Sequence, residues 1–231
     1  MKKGIGSEIR EQAFRDTKSY YIDAPPRLFS ENLISFARKY CGPRLLDVGC
    51  ATGNYMVELQ SKGFHCTGVD VNQRYVSLAR KRGLDVHLVK KKFPFEDNSF
   101  DSSVVFEVLE HVLDIGTVLK EIRRVTRSTV LITVPNCADL EKMRHDGVVF
   151  EHVLDTDHKN FFTPQSLDRT LRDHFPTDRV MIWRGDPISP ASFVADAPTR
   201  FALRAMRRLR LLKPKYYFRL YAMIILKKTG R

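Results

Sequence analysis

The chain has no pair of cysteines close enough in sequence to form a metal ribbon or a redox motif. Its four cysteines, Cys41, Cys50, Cys66 and Cys137, stand far apart, so neither a zinc ribbon nor a CxxC couple is available, and free thiols in a reducing compartment are expected. No apolar run of the ~7 residues that a signal peptide requires follows the basic start MKKGIGSEIREQAFRD. No stretch reaches the ~18 apolar residues of a membrane span either, since the longest, Tyr216 to Leu226, is interrupted by Arg219. These absences predict a cytoplasmic, folded protein. Acidic residues are scarce in one region only: residues 192 to 231 hold eleven Lys or Arg against a single acid, Asp196. Most of the net charge of +12 therefore sits in this stretch, and the remaining body is close to neutral. Such a stretch suits an anionic partner such as phosphate, nucleic acid or a membrane surface, or else a solvated helix face.

With 231 residues and 43% hydrophobic content, one substantial core can form, and a single domain with a small appendage is expected. Apolar residues at helical spacing follow Pro26 over residues 27 to 40. Short apolar runs then alternate with helical patterns. Strands are predicted at RLLDVG (44 to 49), HCTGVD (65 to 70), DVHLVK (85 to 90), FDSSVVFEV (100 to 108) and STVLITVPN (128 to 136). Helices are predicted through Tyr55, Met56 and Leu59 to a stop at Gly63, over 72 to 83, and over DIGTVLKEIRRVT. This alternation predicts βαβ units, right-handed crossovers and a doubly wound, parallel α/β sheet. Beyond Asn136 the expectation is a loop-rich segment (137 to 163), a helix from Pro164 to about His174, and a strand at RVMIWRG (179 to 185). A basic helical insertion at about 187 to 215 and a closing strand, YYFRLYAMIIL, complete the chain.

Ligands of such sheets bind at the carboxyl ends of the strands, which directs attention to the residues just after each one. In LLDVGCATGNY (45 to 55) a strand ends in Asp47, a turn passes Gly49, Cys50, Ala51 and Thr52, and Gly53 opens a helix. Glycines there allow a ligand to approach the backbone, and Asp47 offers an acceptor to an ammonium group. Asp70, at the end of GVDVN, can accept both hydroxyls of a ribose. The turn is neither GxGxxG nor followed by GK[ST]. A nucleoside that lacks a pyrophosphate but carries an amino acid fits better than a dinucleotide or a triphosphate.

These residues resemble the class I S-adenosylmethionine-dependent methyltransferases, in the branch that includes quinone-biosynthesis enzymes. DVGCATG is similar to the family's first motif, with Ala51 where glycine often stands, and GVDVN to its second. FPFEDNSFDSSVVFEVLEHV (93 to 112) resembles the stretch through strand four, and VLITVPN strand five; the likeness covers roughly residues 30 to 175. It implies a seven-stranded, mostly parallel, Rossmann-like sheet whose last strand is antiparallel. It also implies S-adenosylmethionine as cofactor, with Gly49 and Gly53 near its methionine part, Asp70 on its ribose, Val71 beside adenine, and Glu107 alongside after strand four. The chain departs from many relatives in having Lys90, Lys91 and Lys92 where an acid faces the adenine amine.

On the acceptor side, Glu107, Glu110 and His111 fall at i, i+3 and i+4, one face if the segment is helical, and DTDHKNFFT adds Asp157 and His158. Two carboxylates and two imidazoles could bind a divalent ion that holds a substrate's hydroxyls. The pattern is similar to small-RNA 2′-O-methyltransferases and, in its first half, to ubiquinone O-methyltransferases, where it implies a metal. The preferred reading is metal-free, with His111 or His158 as general base and Glu110 beside them. In the basic segment Arg200, Arg204, Arg207 and Arg210 lie broadly opposite Phe201, Ala205, Leu209 and Leu212. The expected chemistry is direct in-line methyl transfer to a small or lipid-linked hydroxyl compound, such as a sugar or quinol. An RNA methyltransferase and a non-catalytic cofactor-binding subunit are the alternatives, separable by salt-dependent RNA binding and by turnover of labelled cofactor.

Overall fold

The computed structural model describes residues 29–146, 157–188, 197–209 and 214–227. The expected helix start at Pro26 and Leu28, the Pro-rich loop after residue 188, and Arg210 and Leu212 lie outside these residues. Helix α1 spans Glu31–Tyr40 and buries Leu33, Ile34, Phe36 and Ala37, the apolar stripe expected of that segment. It leads into β1 (Arg44–Val48), α2 (Asn54–Ser61), β2 (His65–Asp70), α3 (Gln73–Lys81), β3 (Val86–Leu88) and β4 (Phe100–Phe106). After a 3₁₀ turn at Leu109–His111 come α4 (Ile115–Val125), β5 (Thr126–Pro135), α5 (Leu140–His145) and α6 (Pro164–His174). The order closes with β6 (Arg179–Pro187), α7 (Ala197–Arg208) and β7 (Tyr217–Ile225).

The helix starts follow capping chemistry. Asn72 accepts from the Arg74 and Tyr75 amides before α3, and Asp114 accepts from Thr117 N before α4. At α6, Thr163 and Ser166 form a reciprocal capping box with Pro164 at the first turn. The α5 helix was not expected, because it buries only Met143 and so leaves no apolar period to read.

The seven strands lie in the order β3-β2-β1-β4-β5-β7-β6. Strands β1 to β5 pair in parallel, and β7 inserts antiparallel between β5 and β6. The strand that closes the sequence is therefore the antiparallel one, and β6 runs with the others. Helices cover both faces: Val118, Leu119, Ile122, Leu167 and Leu171 pack one side, and Leu33, Ile34, Met56, Leu59 and Val76 the other. Each such fully buried side chain contributes ~1.5–3 kcal/mol of transfer free energy. Because both faces are covered, the strands read as continuous apolar runs rather than alternating ones. The crossover from β1 to β2 leaves in one direction and the later chain proceeds to β4 on the other side, so the switch point lies between β1 and β4. Ligands of open α/β sheets bind outside that point.

Candidate active site

The turn after β1 is shaped by the protein's own packing. Gly49 and Gly53 both adopt left-handed backbone, φ 72° and 81°, where a Cβ is strained. A Cβ at Gly49 would also stand 2.6 Å from Val108 Cγ2, and one at Gly53 would meet Leu84. Neighbouring side chains, Val108 and Leu84, thus require both glycines independently of any ligand's approach. Ala51 is left-handed as well, φ 47°, which accounts for the glycine that relatives often place there. Cys50 turns its thiol inward, where a Cβ on Gly68 would lie 2.7 Å from Cys50 Sγ. Burial pushes that thiol well above its ordinary range, so Cys50 offers a ligand only its backbone.

Asp70 ties this turn to the next. Its Oδ2 accepts from Ala51 N at 2.8 Å and its Oδ1 from Asn72 N at 2.8 Å, while Val71 packs half-buried against the core. Arg82 braces the same loop from α3, donating to Thr52 O at 2.5 Å and Asn54 Oδ1 at 2.7 Å. Asp47 is 2% exposed. Its Oδ2 is buried without a hydrogen-bond partner among the described residues. Burial, then the charge of Asp70, pushes its carboxyl up to about 8. A buried carboxylate oxygen of this kind is costly alone and is satisfied by an ammonium group, so these residues fit the amino-acid end of S-adenosylmethionine.

Strand β4 ends sooner than the pattern FDSSVVFEV suggests. Glu107 lies beyond it with φ 56°, and only Leu109–His111 is helical, as one 3₁₀ turn. The expected single helical face of Glu107, Glu110 and His111 is therefore corrected. Glu107 turns instead to Arg219, whose Nε lies 3.3 Å from its Oε2. Burial raises the Glu107 carboxyl and Arg219 opposes the rise.

Glu110, His111 and His158 do come together: one donor atom of each lies within 4.8 Å of the others. The two imidazoles, 47 positions apart, have ring centroids 4.8 Å apart at 64°, and Glu110 is 1% exposed. Asp157 is buried nearby in sequence but is not among these donors. Main-chain and side-chain bonds hold the two loops in register. Lys159 N and Asn160 N both donate to Glu110 O, and Asn160 Nδ2 donates to Leu109 O at 2.9 Å and Val112 O at 2.6 Å. Farther along, Cys137 N donates to Phe162 O at 2.8 Å, joining the loop to the end of β5. Exposed Leu113 and Phe161 flank the histidines in sequence. Asn160, Arg219 and Asp186 were not foreseen, since no local spacing signals a partner 33 to 112 positions away.

Residues 46–134 match the family model described as a methyltransferase domain. The chain is 32% identical to a ubiquinone biosynthesis O-methyltransferase of Bradyrhizobium diazoefficiens over 67% of its own length and 66% of that protein's. It is 29% identical to the enzyme of that name from Aeromonas salmonicida, over 55% of this chain and 60% of the relative. Against an O-methyltransferase of Aspergillus nomiae the match is 36% over 37% of this chain and 43% of the relative. The aligned region thus spans less than two thirds of these curated relatives' own lengths. A solved S-adenosylmethionine-dependent methyltransferase from Archaeoglobus fulgidus has the same fold, with TM-score 0.63 and 20% identity, covering 91% of this chain and 100% of that one. From the ordered motifs, the sheet order and these likenesses together, the chain belongs to the class I S-adenosylmethionine-dependent methyltransferases, with S-adenosylmethionine as cofactor.

Proposed function

We propose that the protein methylates a hydroxyl of a small-molecule acceptor, sugar-like, quinol-like or lipid-linked, with His111 or His158 taking the hydroxyl proton. The observation that carries this reading is the His111–His158 pair, 4.8 Å apart at the carboxyl edge beside Glu110. Relatives named as O-methyltransferases support the hydroxyl. When bound, the cofactor supplies an electrophilic methyl group, and the protein's task is to align the acceptor and remove its proton. Asp47 receives the ammonium group, Asp70 the ribose hydroxyls, and Glu107 stands beside the cofactor; Gly49, Cys50 and Gly53 line it by backbone and Val71 flanks adenine. Glu110 accepts charge next to the imidazoles. We read the chain as one domain with α7 inserted before β7, working in the cytoplasm. No helix among the described residues is long and apolar enough to cross a membrane.

The same three donors favour a second reading, in which a divalent ion held by Glu110, His111 and His158 binds the acceptor's hydroxyls. Labelled methyl transfer into cell extracts fractionated into RNA, lipid and small metabolites tests both. Label in a hydroxyl of a metabolite or lipid supports the proposal, and label confined to RNA assigns the basic C-terminal stretch to an RNA substrate instead. No label in any fraction, from protein that binds the cofactor, leaves a non-catalytic binder.

Two further outcomes are expected. In the ligand-free protein the raised Asp47 carboxyl is neutral at pH 7; its contribution to stability is complete below about pH 4 and is lost as pH rises through about 8. An ammonium group favours the ionised form, so cofactor binding at pH 7 should release about one proton. Calorimetry in buffers of different ionisation enthalpy measures it, and equal release by Asp47→Asn would remove Asp47 from the site. Asn160→Ala should lower turnover about tenfold, since losing two bonds to the 3₁₀ turn releases ~1–3 kcal/mol of positioning. The Kd for S-adenosylmethionine should stay within about twofold, as the cofactor turn is elsewhere; unchanged turnover would show that the two loops need no clamp.

A further inference from the structure

From the β6–β7 end of the sheet, the side chain of Arg219 reaches the turn after β4. It lies near the start of β7, opposite Pro135 at the end of β5, and so at the carboxyl edge. Its Nη1 donates to Asp186 Oδ2 at 2.6 Å, its Nε lies 3.3 Å from Glu107 Oε2, and its guanidinium sits 4.6 Å from the Phe218 ring centroid. All three charged side chains are largely buried: Arg219 is 16% exposed, Glu107 18% and Asp186 12%. Both acids occupy left-handed backbone, φ 56° and 51°. Residues with a Cβ keep that conformation only where the surroundings hold them in it.

The chain of contacts continues outward. Asp186 also accepts from Tyr221 Oη at 3.0 Å and from Asn32 Nδ2 at the start of α1. Just before α1, Ser30 N donates to Tyr55 Oη at 3.1 Å, two residues beyond Gly53. Arg219 thus joins α1, the edge of the sheet and the turn after β4. Burial alone disfavours an ionised Glu107, and a neutral carboxylic acid would not serve a cationic ligand as a charge-assisted acceptor. The guanidinium opposes the effect of burial without cancelling it, and Asp186 holds the guanidinium in place.

We propose that Arg219 is a positioning residue of the cofactor site, holding Glu107 as an aimed carboxylate beside S-adenosylmethionine, with Asp186 holding Arg219 in turn. This rests on the reading of Glu107 as a cofactor contact. The test measures the Kd for S-adenosylmethionine by calorimetry, with thermal denaturation alongside, for wild type, Arg219→Met, Arg219→Lys, Glu107→Gln and the double variant Arg219→Met/Glu107→Gln. Arg219→Met and Glu107→Gln should each weaken binding at least about tenfold, the change expected on losing a charge-assisted hydrogen bond. The double variant should be no weaker than Glu107→Gln alone within about twofold, because both changes remove one acceptor. Arg219→Lys, which keeps the charge, should recover most of the affinity. Wild-type affinity in Arg219→Met with only a lower Tm would overturn the proposal and leave a structural ion pair. So would losses that multiply in the double variant. Should Arg219→Met not fold, Glu107→Gln decides with Arg219→Lys: full affinity in Glu107→Gln refutes the role, and weakened binding that Arg219→Lys escapes supports it. A wild-type protein that binds no S-adenosylmethionine takes down the functional reading itself, a different outcome from any of these.

Discussion

Of His111→Ala and His158→Ala, at least one should lower methyl transfer by about 100-fold or more while leaving the Kd for S-adenosylmethionine within about twofold. The expectation follows from position. The two rings are 4.8 Å apart on loops that leave β4 and β5 at the carboxyl edge, whereas Asp47 and Asp70 lie at the ends of β1 and β2 and Gly49 in the turn after β1. A lone acceptor hydroxyl is a poor nucleophile at neutral pH, and an imidazole, whose ordinary pKa is ~6.5, removes its proton best there. Single-turnover rates with labelled cofactor separate the chemical step from binding. Addition of a chelator then separates the two readings of this cluster. If Glu110, His111 and His158 hold a divalent ion, chelation stops turnover until the ion is restored. If an imidazole acts alone, chelation changes nothing. Full turnover in both alanine variants would defeat both readings.

Asp70→Ala should weaken cofactor binding by ~1.5–3 kcal/mol, roughly 10- to 100-fold in Kd, from loss of a charge-assisted acceptor for ribose. The folded chain gives this carboxylate a second duty. It accepts from Ala51 N on one side and Asn72 N on the other, each at 2.8 Å, and so fastens the first turn to the second. Losing it should also free the Ala51 amide, whose left-handed backbone, φ 47°, is already unfavourable for a residue with a Cβ. Asp70→Asn distinguishes the duties, because an amide can still accept one of these bonds but carries no charge. Titration calorimetry should rank the affinities wild type, Asn, Ala. Equal affinity for wild type and Asp70→Ala would remove Asp70 from the site.

The alternation of short apolar runs and amphipathic helices was enough to expect a doubly wound sheet, because strands covered on both faces and helices covered on one leave different periods in sequence. Candidate residues placed by their own βα turn were legible in the same way. Asp47, Gly49, Gly53 and Asp70 sit at fixed steps from the ends of their strands, and strand ends are what sequence patterns mark. The boundary errors have a physical origin as well. β4 stops at Phe106 although Val108 is apolar, since Glu107 turns left-handed to meet Arg219. A pattern of residue types carries no sign of that contact.

His111 and His158 lie between these cases: each is visible as a candidate, and topology suggests they meet, as they do at 4.8 Å, but Asn160, whose amide bonds one loop to the other, carries no such signal. Arg219 was visible only as an interruption in an apolar run. Its pairing with Glu107 and Asp186 exists because β7 inserts antiparallel between β5 and β6, which brings the beginning of the last strand to the edge where β4 ends. Sequence by itself determined the order of the strands and of most helices, and which candidate residues stand at the ends of β1 and β2, because these depend on contacts within one βα unit. Tertiary structure alone decided which charges share a partner across the sheet, because a long-range ion pair is set by strand order and backbone direction, and neither leaves a local period to read.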